Sequence, residues 1–154
     1  MGHSKIFSAL MLLSIVAFWL SCKSPSKKKV YEVEAVAETT AVASADDAAD
    51  DPAIWVHPGN VNKSRIYGTD KQKGVAVYNL DGEQLYFYGF GRINNIDVRY
   101  GFDLGDKKVD ILGGSNRSNN TIGIWAIDPE TGELSNIAAH DIQSDMKEGY
   151  GFCF

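Results

Sequence analysis

Cysteine, proline and histidine are all scarce in this sequence. It holds two cysteines, Cys22 and Cys153, four prolines and three histidines in 154 residues. Two cysteines so far apart supply no disulfide framework, so a fold stapled by bridges is not expected. Cys153 reads as a buried thiol. His57 and His140 stand alone, without a partner at metal-ligand spacing. Nucleophile-elbow, P-loop and zinc-type histidine motifs are all missing. Excess positive charge is missing too. The formal net charge is −5, which argues against a nucleic-acid partner. Helix-type apolar patterns are few.

What remains is an ordinary globular composition, 44% hydrophobic and 23% charged, long enough for one domain with a core. Fifteen glycines, seven tyrosines and seven phenylalanines lean toward β structure.

Residues 1–22 read as an export signal. Lys5 supplies the basic start and Ile6 to Leu20 is an almost unbroken apolar run. That run is short of the ~20 residues a membrane-spanning helix needs. Ser21-Cys22 follows, as in a bacterial lipoprotein signal, where that cysteine is lipidated. A plain secretory signal with an incidental cysteine is the other reading. The expectation is export to the periplasm or cell surface, with the membrane reached only through a lipid anchor on Cys22. Residues 23–37 read as a tether, from their lysines, Ser/Pro and low hydrophobicity. Glu32, Glu34 and Glu38 alternate with Val33, Ala35 and Val36, so a short strand is expected near its end. Residues 38–154 make up the folded part.

From Ala53 the pattern changes. Short apolar segments recur at 53–57, 65–69, 74–80, 84–89, 96–100, 108–113, 121–127 and 133–138, with Gly, Asn and Asp between them. This is hairpin spacing. The segments also repeat. Val75–Glu83 parallels Ile122–Asp128 with Gly132-Glu133, Ile66–Lys71 parallels Leu112–Arg117, and Asp50-Asp51 parallels Asn94-Asn95. A period of roughly 40–50 residues with four strands in each is that of propeller blades. The expected fold is therefore all-β, a β-propeller with about two to three blades in this chain. Trp55, Tyr78, Phe87 and Trp125 are the expected core filling. The blade count and the stop in mid-strand suggest a fragment of a longer protein, one expected to be a monomer when complete.

The stretch Asp50-Asp51-Pro52-Ala53-Ile54-Trp55-Val56-His57-Pro58 anchors the chemistry. Two carboxylates precede a proline, which fixes φ and removes a donor at a strand start. Neighbouring strand residues point to opposite faces, so the two carboxylates are expected to diverge. Carboxylates and backbone carbonyls suit Ca²⁺. An ordinary turn before a strand is the other reading of the same residues. The repeat adds geometry. The acid or Asn pair precedes the first strand of each period, and Lys71 or Arg117 follows the second. Antiparallel neighbours bring those ends to one sheet edge. Asp50, Asp51, Asn94, Asn95, Lys71 and Arg117 should then converge, joining cation-binding oxygens to a Lys and an Arg able to hold phosphate.

These motifs resemble the β-propeller phytases (3-phytases). The resemblance rests on residues 50–58, Gly68-Thr69-Asp70-Lys71, Arg92–Tyr100, Ser115-Asn116-Arg117-Ser118 and Gly149-Tyr150-Gly151-Phe152, and covers about 38–154. It implies a six-bladed propeller that uses Ca²⁺ to hydrolyse phytate, a phosphomonoester substrate, through a metal-activated water. By position it implies phosphate binding by Lys71 and Arg117, with Lys73 and Asn116 helping at a second phosphate. Asp50 and Glu38 would be active-site calcium ligands. Asp51, with the Pro52 and Ile96 carbonyls, would form a structural calcium site. Gln72 departs from the family, where a second lysine is common. A calcium-stabilised propeller that binds without catalysis is the alternative, and this piece alone is expected to be inactive.

Overall fold

Residues 29–154 are described by a computed structural model. Residues 1–28, including Cys22 and the expected signal, lie outside them. Residues 35–154 form one compact unit. Residues 30–48 contain no strand, so the short strand expected near Glu32–Val36 does not form. Its bulky apolar side chains, Val30, Tyr31, Val33 and Val36, stay exposed.

Nine strands follow: β1 (Ala49–Trp55), β2 (Arg65–Asp70), β3 (Gly74–Tyr78), β4 (Gln84–Tyr88), β5 (Ile93–Asp103), β6 (Lys108–Asn116), β7 (Thr121–Ile127), β8 (Leu134–Asn136) and β9 (Ile142–Gln143). They build two antiparallel meanders, β1-β2-β3-β4 and β5-β6-β7-β8. The fourth position of the second sheet is split. β8 pairs with the Trp125–Ile127 end of β7, and β9 with Thr121–Ile122. Two four-stranded units in succession, all antiparallel, are the pattern of consecutive propeller blades.

The facing sides of the two sheets hold the core. Ala53, Trp55, Tyr67, Val75 and Val77 meet Ile93, Ile96, Leu112, Trp125, Ile127 and Leu134. Tyr88, Phe90 and Trp125 form a stack that crosses from one sheet to the other, with centroids 5.1 and 4.3 Å apart. Buried polar tips find partners across the same boundary. Tyr67 Oη donates to the Gly132 carbonyl at 2.9 Å, and Trp55 Nε1 to Asp110 Oδ2 at 2.8 Å. Burial pushes the Tyr67 phenol far above its ordinary range, so it stays a donor.

Two core expectations need correcting. Phe87 is 40% exposed. Along β4, Tyr86 and Tyr88 take the side facing the second sheet, and strand alternation sends Phe87 to the other side. Cys153 is exposed rather than buried.

Both sheets bend at the same place. Ala49 pairs with Asp70 and Pro52 with Gly68, leaving one extra residue on β1. Ile93 pairs with Asn116 and Ile96 with Gly114, leaving one extra on β5. These are β-bulges, and they fall under Asp50-Asp51 and under Asn94-Asn95.

Candidate active site at the bulged strand ends

Lys71 sits in the tight turn joining β2 to β3. Asp70 closes it, accepting the Gln72 N–H on its side chain at 3.1 Å and the Lys73 N–H on its carbonyl at 2.9 Å. Gly74 ends the turn, and a Cβ there would lie 1.9 Å from the Tyr88 carbonyl, so only glycine fits. Arg117 occupies the equivalent turn after β6. The backbone repeats too. Lys71 N–H donates to the Ala48 carbonyl and Arg117 N–H to the Arg92 carbonyl, each at 2.9 Å.

The bulges overturn the expected divergence of the two carboxylates. Extra residues break strand alternation locally, and both side chains reach β5. Asp50 Oδ2 accepts from Asn94 Nδ2 at 3.1 Å, and Asp51 Oδ2 from the Ile96 N–H at 2.9 Å.

A continuous polar line results. Lys71 Nζ lies 3.5 Å from Asp50 Oδ1. Asp50 accepts from Asn94, and Asn94 Oδ1 accepts from Arg117 Nη1 at 3.3 Å. Asn94 thus presents its amide N–H to the carboxylate and its oxygen to the guanidinium. Asn95 joins through its Oδ1, 2.8 Å from Asn94 Nδ2.

Two groups at this site, Asp47 and Glu148, carry no motif in the sequence, and a third, Tyr150, belongs to the Gly149–Phe152 motif without a role that the sequence marks. Asp47 pairs with Lys71 Nζ at 2.8 Å. Glu148 accepts from Arg117 Nε at 2.9 Å and from Nη2 as well. Tyr150 Oη accepts from Arg117 Nη2 at 2.9 Å, and its ring lies 4.2 Å beneath the guanidinium carbon. The hydrogen bond to Asp47 holds the Lys71 ammonium above the usual lysine range, and the one to Glu148 does the same for Arg117. Both side chains are therefore cations at any physiological pH. Glu148 and Tyr150 reach the site because Ser115 Oγ donates to the Tyr150 carbonyl at 2.9 Å, seating that segment beside β6. Nothing in the sequence marks Glu148 itself.

The remaining expected residues are placed less centrally. Lys73 is exposed in the turn. The Asn116 side chain is used locally, donating to the Phe90 carbonyl at 2.8 Å and accepting the Ser118 N–H at 2.9 Å. Glu38 is not brought to Asp50. Its carbonyl lies against Gly82, in the turn at the opposite end of β3 from Lys71, roughly five residues of strand at ~3.3 Å each away.

Asp50 and Asp51 offer a hard cation the right kind of oxygen. Asp51 keeps Oδ1 outside its bond to Ile96, and the Pro52 and Ile96 backbones lie alongside. Among the described residues no three His, Cys, Asp or Glu side chains gather as a ready metal cage. Calcium here would draw on backbone oxygens and water besides the two carboxylates.

The phytase family model matches residues 3–154. This chain belongs to the phytase family. A 3-phytase of Bacillus subtilis (strain 168) is 46% identical over 149 residues, covering 94% of this chain and 39% of that relative. The chain thus spans about two fifths of the length of that phytase relative. Its two meanders agree with the propeller that the sequence repeats suggest.

Proposed function

We propose that the complete protein is a phytase, releasing phosphate from myo-inositol hexakisphosphate, and that the bulged strand ends form part of its site. The observation that carries this reading is the unbroken line Lys71–Asp50–Asn94–Arg117, which spans two sheets of a phytase-family chain. Lys71 contributes a point charge and Arg117 a planar donor group, a pair suited to phosphoryl oxygens. In a phosphoryl transfer they would stabilise charge as it develops on those oxygens.

The immediate surroundings are not strongly positive. Asp47, Asp50 and Glu148 offset the two cations, so a polyanionic substrate needs further positive charge. Calcium held by Asp50 and Asp51 would supply it, and would activate a bound water near neutral pH. Asn94 has a separate task. It fixes the spacing between the carboxylate that would face the metal and the guanidinium that would face the phosphate. Lys73, exposed in the neighbouring turn, is available to a second phosphate. Export through residues 1–22 would place this chemistry outside the cytoplasm.

The test is phosphate release from myo-inositol hexakisphosphate by the complete protein, with and without a calcium chelator. Release that stops on chelation is expected. No release under either condition would leave a binding module and sink the enzymatic reading.

A further inference from the structure

We propose that Glu148 is a positioning residue for Arg117, holding the guanidinium so that Nη1 faces Asn94 and the phosphate. The inference rests on the phytase reading above. A guanidinium has five N–H donors. Glu148 Oε1 takes one from Nε at 2.9 Å and one from Nη2. Tyr150 Oη takes the other Nη2 hydrogen at 2.9 Å, and Asn94 Oδ1 takes one from Nη1 at 3.3 Å. One hydrogen is left over, and it belongs to Nη1, the nitrogen on the Asn94–Asp50–Lys71 side. Glu148 therefore occupies the edge of the fork turned away from that line.

The burial is lopsided in a way that fits this role. The Arg117 side chain is only 12% exposed and the Glu148 side chain 46%. An exposed ion pair contributes little to stability. A carboxylate that pins a mostly buried, rigid fork acts on geometry instead. Without it, Nε and Nη2 lose an acceptor at once, and the plane is free to turn until both find another. Nη1 then leaves its place beside Asn94.

The experiment uses the complete protein with Glu148→Ala, Glu148→Gln and Arg117→Ala, singly and combined. Readouts are steady-state kinetics on myo-inositol hexakisphosphate and calorimetric binding of inorganic phosphate. Misplacing a substrate-holding group costs about tenfold to a hundredfold, so kcat/KM should fall by that order in Glu148→Ala, with weaker phosphate binding. Gln keeps an acceptor oxygen and should restore most of the loss. On the Arg117→Ala background, Glu148→Ala should change nothing further, since its effect runs through the arginine. Melting temperatures should stay close to the parent. Unchanged kinetics in Glu148→Ala beside an impaired Arg117→Ala would overturn the positioning role alone. Tighter phosphate binding in Glu148→Ala would also overturn it, making Glu148 an internal competitor. An Arg117→Ala protein with parental kinetics would overturn the site reading and this role together.

Discussion

Asp51 Oδ2 accepts the backbone N–H of Ile96 at 2.9 Å. A side chain of β1 thereby satisfies a donor on β5, in the other sheet. Asp51 is itself held in place, its N–H donating to Thr69 Oγ1 at 2.9 Å. The contact sits at the bulge on one side and next to the bulge on the other, so it fixes how the two bent strand ends meet.

Asp51→Ala would leave the Ile96 N–H without an acceptor at a residue only 4% exposed. A stranded buried donor costs about 1–3 kcal/mol. Denaturant titration of the complete protein should show a loss in that range, and Asp51→Asn, which keeps an acceptor, a smaller one. Equal stability of the Ala variant and the parent would mean the contact is incidental.

Calcium should stabilise the complete protein, because Asp50 and Asp51 carry adjacent carboxylates at a bend where backbone oxygens also lie. A ligand at about 100 times its Kd adds roughly 2.7 kcal/mol. Thermal melts with and without chelator measure this. Coincident curves would remove the structural role for calcium.

Arg117→Lys keeps the charge and loses the planar fork. Asn94, Glu148 and Tyr150 together engage all three nitrogens of that fork, and one ammonium cannot replace them. A clear fall in kcat/KM on myo-inositol hexakisphosphate is expected, with the fold intact by circular dichroism. Parental kinetics would give Arg117 a structural role only.

Asp128 predicts a pH effect. Its carboxylate accepts the Thr131 and Glu130 N–H groups, each at 2.9 Å. Those bonds, the Thr131 one first, hold it below the usual carboxylate range. A depressed folded-state value gives stabilisation that is present above the unfolded value of about 3.9 and is lost as pH falls through the folded one. The stability gap between the parent and Asp128→Asn should therefore be widest near neutral pH and close in acid. A gap that stays constant down to pH ~2 would contradict the charge-based account.

Much of this fold is legible in the sequence because its punctuation is local. The Leu80-Asp81-Gly82-Glu83 and Asp128–Glu133 turns carry their own hydrogen-bonding chemistry, and apolar alternation marks the strands between. The pairing of Lys71 with Arg117 is legible for a different reason, since a repeat places equivalent residues at equivalent strand ends. Bulges are harder to read. Nothing in the letters Asp50-Asp51 announces an extra residue, so simple alternation sends one carboxylate the wrong way. Asp47 and Glu148 escape for a third reason: they reach Lys71 and Arg117 through tertiary contacts alone, and the bond of Tyr150 to Arg117 is likewise tertiary although Tyr150 lies in a motif. Phe87 shows the limit of reading an aromatic as core, because one register step decides which face of β4 it takes.

The extra residue occurs at the same point in both sheets, once beneath an acid pair and once beneath an amide pair. The repeated chain path leaves the side chains it carries free to differ. One copy carries formal charge where its sister carries neutral dipoles, on the same bent frame. Exchanging the two, Asp50→Asn with Asn94→Asp, would move a charge from one sheet to the next without asking either backbone for a new shape.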